Sequence, residues 1–239
     1  MSGLGADEKV SNRILNALPA ATLARLRPQL TREALPAARV LSRVGEPVRK
    51  LHFIERGIAS LIQTMHDGRT VEVGAIGIEG VTSTSALLDG NTAILECVAQ
   101  VPGDGLAIDR DILRDEMARD PALNNILHAY QNVTISQLAQ TAACNRLHTL
   151  EQRCCRWLLT AHDSAGADTF ELTHEFLSMM LGVRRPGVSI AMQSLQQTGL
   201  IRYSRGRITI VDRADLEQEA CECYASVHEV IERLFAAAR

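Results

Sequence analysis

The sequence predicts an α+β chain, and three observations carry that prediction. Apolar residues recur at helical spacing in residues 10–30 and again after Asp109; between about Ala34 and Leu106 they form short β-rich runs parted by glycines; and residues 171–211 hold two short helical stripes, a glycine between them and two short strands behind. The expected order is an amino-terminal β domain, a long helix and a carboxy-terminal helix-turn-helix domain. With 239 residues the chain suits two modules sharing a short hinge, residues 1–149 and 150–239.

At the amino terminus Ile14, Leu15, Leu18, Leu23, Leu26 and Leu30 keep helical spacing across Pro19 and Pro28, which predicts two short helices. The period then changes. Residues 51–54, 58–62, 70–73 and 93–101 are β-rich and are separated by Gly45, Gly57, Asp67-Gly68, Gly74 and Asp89-Gly90, the pattern of an antiparallel sandwich or roll. Asp67-Gly68 is the clearest hairpin turn, because glycine tolerates a positive φ.

From Pro121 to about His162 neither glycine nor proline interrupts the helical pattern, and Pro121 suits a first helical turn. Forty residues of unbroken helix would reach about 60 Å, more than one small domain covers. Its buried face must meet another chain, or the helix must break. Leu123, Leu127, Tyr130, Val133 and Leu138 have the three-four spacing of a seam against a second copy. The competing reading is two consecutive core helices with a break near Thr149.

Residues 171–211 carry the functional signal. Thr173 can cap a helix whose buried stripe is Phe176, Leu177, Met180 and Leu181; Gly182 can end it in the left-handed conformation. Pro186 starts a second helix with Val188, Ala191, Met192 and Leu195 on one face. Gly199 closes it, and residues 200–203 and 207–211 read as strands around the basic tip Ser204-Arg205-Gly206. Opposite the buried stripe stand Pro186, Ser189, Ile190, Gln193 and Gln197, with Arg184 and Arg185 at the amino-terminal edge and Thr173 beside them. Such a helix fits a major groove, where arginine pairs with guanine, while Arg205 and Arg207 would meet phosphate. Taken singly, Arg184 or Arg185 reads equally well as a solubilising charge. Ile190 either meets a thymine methyl or packs under the hairpin.

Charge supports the same division. The net charge of −3 hides two fields: residues 70–109 hold six acids and no cation, whereas residues 184–213 hold six arginines against Asp212 alone. A local basic cluster is what an anionic polymer would meet.

With its β-rich start, long helix, the run Leu172-Thr173-His174-Glu175-Phe176-Leu177-Ser178-Met179-Met180-Leu181-Gly182-Val183-Arg184-Arg185 and the hairpin Gly199-Leu200-Ile201-Arg202-Tyr203-Ser204-Arg205-Gly206-Arg207-Ile208, the chain resembles transcriptional regulators of the Crp/Fnr family. The resemblance implies a jelly roll like that of cyclic-nucleotide-binding domains, a long dimerisation helix, and a winged helix reading a palindromic promoter site. The implied partners are double-stranded DNA, a second copy of the chain and RNA polymerase.

The chain departs from the family pattern in three places. Members that bind cyclic AMP resemble one another in a Gly-Glu followed by Arg-Ser, with hydroxyls from the long helix reaching the base. Here the matching stretches are Gly77-Ile78-Glu79-Gly80-Val81 and Asp89-Gly90-Asn91-Thr92, without arginine, and the long-helix position is near Leu138-Ala139. An effector pocket carried over by resemblance would use Glu79, Gly80, Asn91, Thr92 and Leu138. A cyclic phosphate among these acids would be left uncompensated, at a cost of several kcal/mol or more, about the size of a buried unpaired charge. Cyclic AMP is therefore not expected. The iron-sulfur branch needs amino-terminal cysteines, and residues 1–96 have none. On the second helix Pro186 and Ile190 stand where well-known members carry Glu and Arg, so a different operator is expected.

Neither metal nor cofactor is expected elsewhere. Cys221-Glu222-Cys223 lacks a second pair at zinc-finger spacing, and Cys154-Cys155 points adjacent thiols apart on a helix. A redox switch, or haem on His52, His66, His128 or His148, stays open. Residues 1–10 carry Asp7 and Glu8 without an apolar run, no stretch has the length of a membrane span, and six scattered cysteines fit a reducing compartment, so a cytoplasmic protein with no membrane association is expected. There is no P-loop, nucleophile elbow or His-Glu-x-x-His, which argues against an enzyme. The alternative to a DNA-binding regulator is a ligand-gated module whose winged helix binds a protein.

Overall fold

A computed structural model describes residues 3–5, 8–88 and 90–237; Asp7 and Asp89, counted above among the acids, lie outside them. The two short helices are α1 (Arg13–Ala17) and α2 (Ala20–Leu26). Asn12 caps α1 by accepting from the Leu15 amide at 3.2 Å, and its Nδ2 donates to the carbonyls of Ile54 and Gly80 at 2.9 and 2.8 Å. One buried side chain thus satisfies a helix end and ties it to the sheet behind.

The amino-terminal strands are β1 (Thr31–Leu35), β2 (Val40–Ser42), β3 (Lys50–Thr64), β4 (Thr70–Ile76) and, after the short α3 (Ser85–Leu88), β5 (Glu96–Asp109). They form one antiparallel sheet in the order β1-β5-β3-β4, with β2 also on β5, and bridges from Val44 to Ala93 and Pro47 to Thr92 close the roll. The expected runs 51–54 and 58–62 are one strand, not two. The break between them is a pair of register shifts around Arg56, where Gly57 has φ +87° and a Cβ would sit 2.4 Å from the Val101 carbonyl oxygen. A bulge bends a strand without ending it, so this glycine marks a bend, not a turn. The Asp67-Gly68 turn is where the sequence puts it, with Met65 and Arg69 bonded across the hairpin at 2.8 Å.

After β5 come α4 (Arg110–Arg119) and α5 (Pro121–Leu147), the latter opened by Asp120, whose carboxylate accepts from the amides of Ala122 and Leu123. The long helical stretch breaks at His148 and Thr149, both extended, and Thr149 and Gln152 then form a capping box that starts α6 (Leu150–Ala165). The proposed seam is largely a different object: Leu123, Leu127, Tyr130 and Val133 are buried in the chain's own amino-terminal core with Ile14, Phe53 and Leu106. A three-four stripe looks the same whether a sheet of the same chain or a second chain covers it. Leu138 alone of the five stays half-buried.

The remaining elements are β6 (Thr169–Glu171), α7 (His174–Leu181), α8 (Arg185–Gln197), β7 (Ile201–Ser204), β8 (Arg207–Ile210), α9 (Arg213–Glu219) and α10 (Cys223–Ala237), with a small sheet ordered β6-β8-β7. Two features join the halves. The core of the helix-turn-helix, including Trp157, Leu177, Val188 and Ile208, takes in Ile58, Ile62 and Val101 from the large sheet. And α10 returns to the amino-terminal core, which holds Leu234 and Phe235, while Arg13 pairs with Glu232 at 2.7 Å and lies over the Phe235 ring. No helix among the described residues is long and apolar enough to cross a membrane.

Candidate nucleic-acid interface

The turn between α7 and α8 is fixed by backbone chemistry. Gly182 has φ +63°; its amide donates to the Met179 carbonyl at 3.1 Å and that of Val183 to Ser178 at 3.0 Å, the pair of bonds of a Schellman motif. A further orphan carbonyl, that of Leu181, accepts from Nη2 of buried Arg153 at 2.5 Å. At the other end of α7, Thr173 accepts from the Phe176 amide at 3.2 Å, as its position predicts. Thr173 remains exposed, at the edge of the same surface.

On α8 the buried face is Val188, Ala191, Met192 and Leu195, none more than 5% exposed. Arg185, Pro186, Ile190, Gln193 and Gln197 are exposed on the other side, with Arg184 at the cap. Ile190 is 67% exposed, so packing under the hairpin does not account for it. Ser189 is half-buried, its hydroxyl 3.0 Å from Nδ1 of His174. Among the described residues Arg184, Arg202, Arg205 and Arg207 make no ion pair, and Arg185 has only a long contact of 3.8 Å to exposed Glu175. Arg213 leaves the basic cluster: it pairs with Asp163 at 2.8 Å and Glu217 at 2.9 Å.

The hairpin of β7 and β8 turns on Arg205 and Gly206, with φ +50° and +76°, the two positive values of a type I′ turn. Arginine is strained there, and the turn holds its cation at the tip. The hairpin is held to α8 by the Tyr203 amide donating to Gln196 Oε1 at 2.7 Å and by His174, whose ring stacks on Tyr203 with centroids 4.3 Å apart. Burial, then the nearby Arg185 charge, lowers the His174 pKa and so favours the uncharged ring where it joins α7, α8 and the hairpin. Sequence reasoning missed this organiser; its only signal was a histidine directly after the capping threonine.

Two family models match the chain: the cyclic nucleotide-binding domain over residues 32–120 and the Crp-like helix-turn-helix domain over residues 152–219. The chain belongs to the Crp/Fnr family of transcriptional regulators. Solved structures of similar fold include FixK2 from Bradyrhizobium japonicum, 17% identical with a TM-score of 0.68 over 80% of this chain and 98% of that one. The c-di-GMP-responsive global regulator CLP of Xanthomonas campestris is 16% identical, TM-score 0.65, over 81% and 100%. A Crp/Fnr-family protein from Eubacterium rectale is 19% identical, TM-score 0.66, over 86% and 96%. No curated protein sequence matches the chain.

In this Crp/Fnr-family chain the amino-terminal domain holds a cavity of about 180 Å³ between the sheet and α5, lined by Leu61, Ile76, Val81, Ile94, Leu95, Ile135 and Leu138, with hydroxyls from Ser83, Thr84, Ser85 and Thr134. Among the described residues no charged group lines it. Of the five pocket residues expected by resemblance, Leu138 alone is there. Glu79 faces a second cavity of about 290 Å³ beside Arg13, Arg156 and Asp163, and burial raises its pKa. Gly80 lies under Tyr130, with room for no side chain, while the Asn91 carbonyl accepts from Val48 and Thr92 bridges to Pro47. The roll closes through Asn91 and Thr92, so their backbones are spent on the fold.

The cysteines are free thiols, as the sequence reading has them, but two of them meet across the chain. All six are buried and in no disulfide. Cys144 and Cys221, 77 positions apart, have sulfurs 3.6 Å apart, and their mutual hydrogen bond lowers the Cys144 pKa and raises that of Cys221.

Proposed function

We propose that this Crp/Fnr-family chain acts as a homodimeric, sequence-specific regulator that reads promoter DNA with α8, answers to RNA polymerase there, and does not take cyclic AMP as effector. The observation that carries the reading is the outward face of α8: two arginines, Gln193 and an exposed Ile190, flanked by a hairpin whose cations have no acidic partner among the described residues. Arginine and glutamine can read base edges and Ile190 can cover a thymine methyl, while Arg205 and Arg207 hold phosphate and set orientation.

Pairing of two copies is supported by the stripe of α5 that the chain leaves bare. Asn125, His128, Asn132, Ile135, Ala139, Ala142 and Arg146 are all exposed and recur at alternating four- and three-residue steps. Ile135 is 64% exposed, and the small residues Ala139 and Ala142 allow close approach of a second helix. The argument against cyclic AMP rests on the uncharged lining of the 180 Å³ cavity, where a phosphate would lose its hydration without gaining a cation.

The test is selection of bound fragments from random duplex DNA by the purified chain. A palindrome with half-sites one helical turn, about 34 Å, apart is expected. Recovery of unrelated fragments in proportion to length would overturn sequence-specific reading, and a single unrepeated half-site would overturn the dimer.

A further inference from the structure

We propose that Cys144, His148, Cys221 and Cys223 bind one divalent ion of the zinc class, in a tetrahedral site that clips the end of α5 to the junction of α9 and α10. The four ligand atoms lie within 4.8 Å of one another. Cys144 Sγ is 3.6 Å from Cys221 Sγ, and Cys223 Sγ is 3.5 Å from His148 Nδ1. A tetrahedral ion with Zn–S of about 2.3 Å and Zn–N of about 2.0–2.1 Å places its ligands roughly 3.6–3.8 Å apart, so these edges need almost no adjustment.

The surroundings fit a metal as well as the ligands do. His148 turns Nδ1 toward the sulfurs because Nε2 is held by the Glu222 carboxylate at 3.1 Å. That contact sets the tautomer and ring orientation a metal-bound histidine needs. Glu222 is the residue between the two cysteines of the short motif, so the motif supplies two ligands and the group that orients a third. Gln140 Nε2 donates to Cys223 Sγ at 3.0 Å, a bond that a thiolate accepts better than a thiol. Three thiolates around a dication leave one negative charge. Buried Arg153 and half-buried Arg156 stand within electrostatic reach of the cluster, each with an Nε that has no hydrogen-bond partner.

Soft thiolates with one imidazole select zinc over magnesium or calcium, and four protein ligands make the site structural. Binding releases the thiol protons to solvent with no change of oxidation state. Cys144 and His148 close α5, and Cys221 and Cys223 precede and open α10, so the ion would span the break at Thr149 and fasten the last helix beside it.

The full chain, purified under reducing conditions, should carry one zinc per chain by elemental analysis. After removal of the metal by a chelator, added cobalt(II) should restore one equivalent, with the intense visible absorption of a tetrahedral ion and thiolate charge-transfer bands. Cys221→Ser with Cys223→Ser should abolish both signals, Glu222→Gln should weaken the affinity about 10–100-fold, and Cys97→Ala, remote from the cluster, should leave the signals intact. Circular dichroism on each variant separates loss of metal from loss of fold, and the stripped wild-type chain gives the same comparison without mutation: its melting temperature should fall and recover with zinc. Substoichiometric metal, cobalt spectra of octahedral type, an iron-sulfur chromophore, a Cys144–Cys221 disulfide in the freshly reduced protein, or equal cobalt binding by the double variant would each overturn the site.

Discussion

The outer face of α8 and the cavity beneath α5 are opposite solutions to the handling of charge. On α8 and its hairpin, cations stand in solvent and, among the described residues, meet no acid beyond the 3.8 Å contact of Arg185 with exposed Glu175; in the cavity beneath α5 every lining group is apolar or a neutral hydroxyl or amide. Leaving arginines unpaired costs little in water and keeps them free for a polyanion, whereas a cavity stripped of cations repels one. One chain thus offers charge to solvent in one half and keeps it out of a cavity in the other.

Ionic strength should separate the two regions most sharply. If a dimer neutralises six to ten phosphates, affinity for the selected site should fall about 10³- to 10⁵-fold between 50 and 200 mM salt, measured by fluorescence anisotropy. A flat response would remove the electrostatic half of the comparison.

Next in size is a pH effect at the seam between the halves. Glu72 on β4 is buried, accepts from Trp157 Nε1 of α6 at 3.1 Å and from the Ser60 hydroxyl, and has its pKa pushed up by burial to about 7 from 4.5. A raised folded pKa means that stability is full below the unfolded value and is lost as pH rises through the folded one. Between about pH 4.5 and 7 the wild type should therefore lose up to roughly 3 kcal/mol relative to Glu72→Gln in denaturant titrations. Parallel pH profiles for the two proteins would contradict this.

Within the output surface, Arg185→Ala should cost about 1–3 kcal/mol on the best site and relax one base position, because a groove-facing arginine reads a base. At the hairpin tip glycine is the right replacement, since alanine would inherit the strain at φ +50°. Arg205→Gly should weaken binding to all sequences alike without loss of stability, since relief of about 1–2 kcal/mol of left-handed strain offsets glycine's entropy cost of about 0.5–1 kcal/mol, a thermal-melt and binding pair that a purely structural arginine would not give. At the small end, cyclic AMP should produce no heat by calorimetry and no shift in melting temperature; a shift would mean that the cavity recruits a cation from elsewhere.

Legibility in the sequence followed the range of the interactions. The helix-turn-helix could be read residue by residue, because Thr173, Gly182 and the stripe from Val188 to Leu195 act over at most one or two turns. The sheet was legible in its strands and in the Asp67-Gly68 turn, but Gly57 passed for a break, since a bulge and a turn both call for glycine. The face of α5 was misjudged because periodicity shows that a stripe is covered and not by what. Glu79, Asn91 and Thr92 were carried over by resemblance; here Glu79 lines a second cavity, and the backbones of Asn91 and Thr92 help close the roll. Nothing local could have joined Cys144 and His148 to Cys221 and Cys223; only the return of α10 does that.

That return has a mechanical meaning. A polypeptide that crossed between its halves once, at Thr149, could swivel there like a door on one pin. Here the backbone crosses a second time and anchors Leu234 and Phe235 among the residues of the first half. Any rotation of the carboxy-terminal half about Thr149 must slide or release this trailing strap as well as the seam at Ile58, Ile62 and Val101, so α10 shares in setting that freedom.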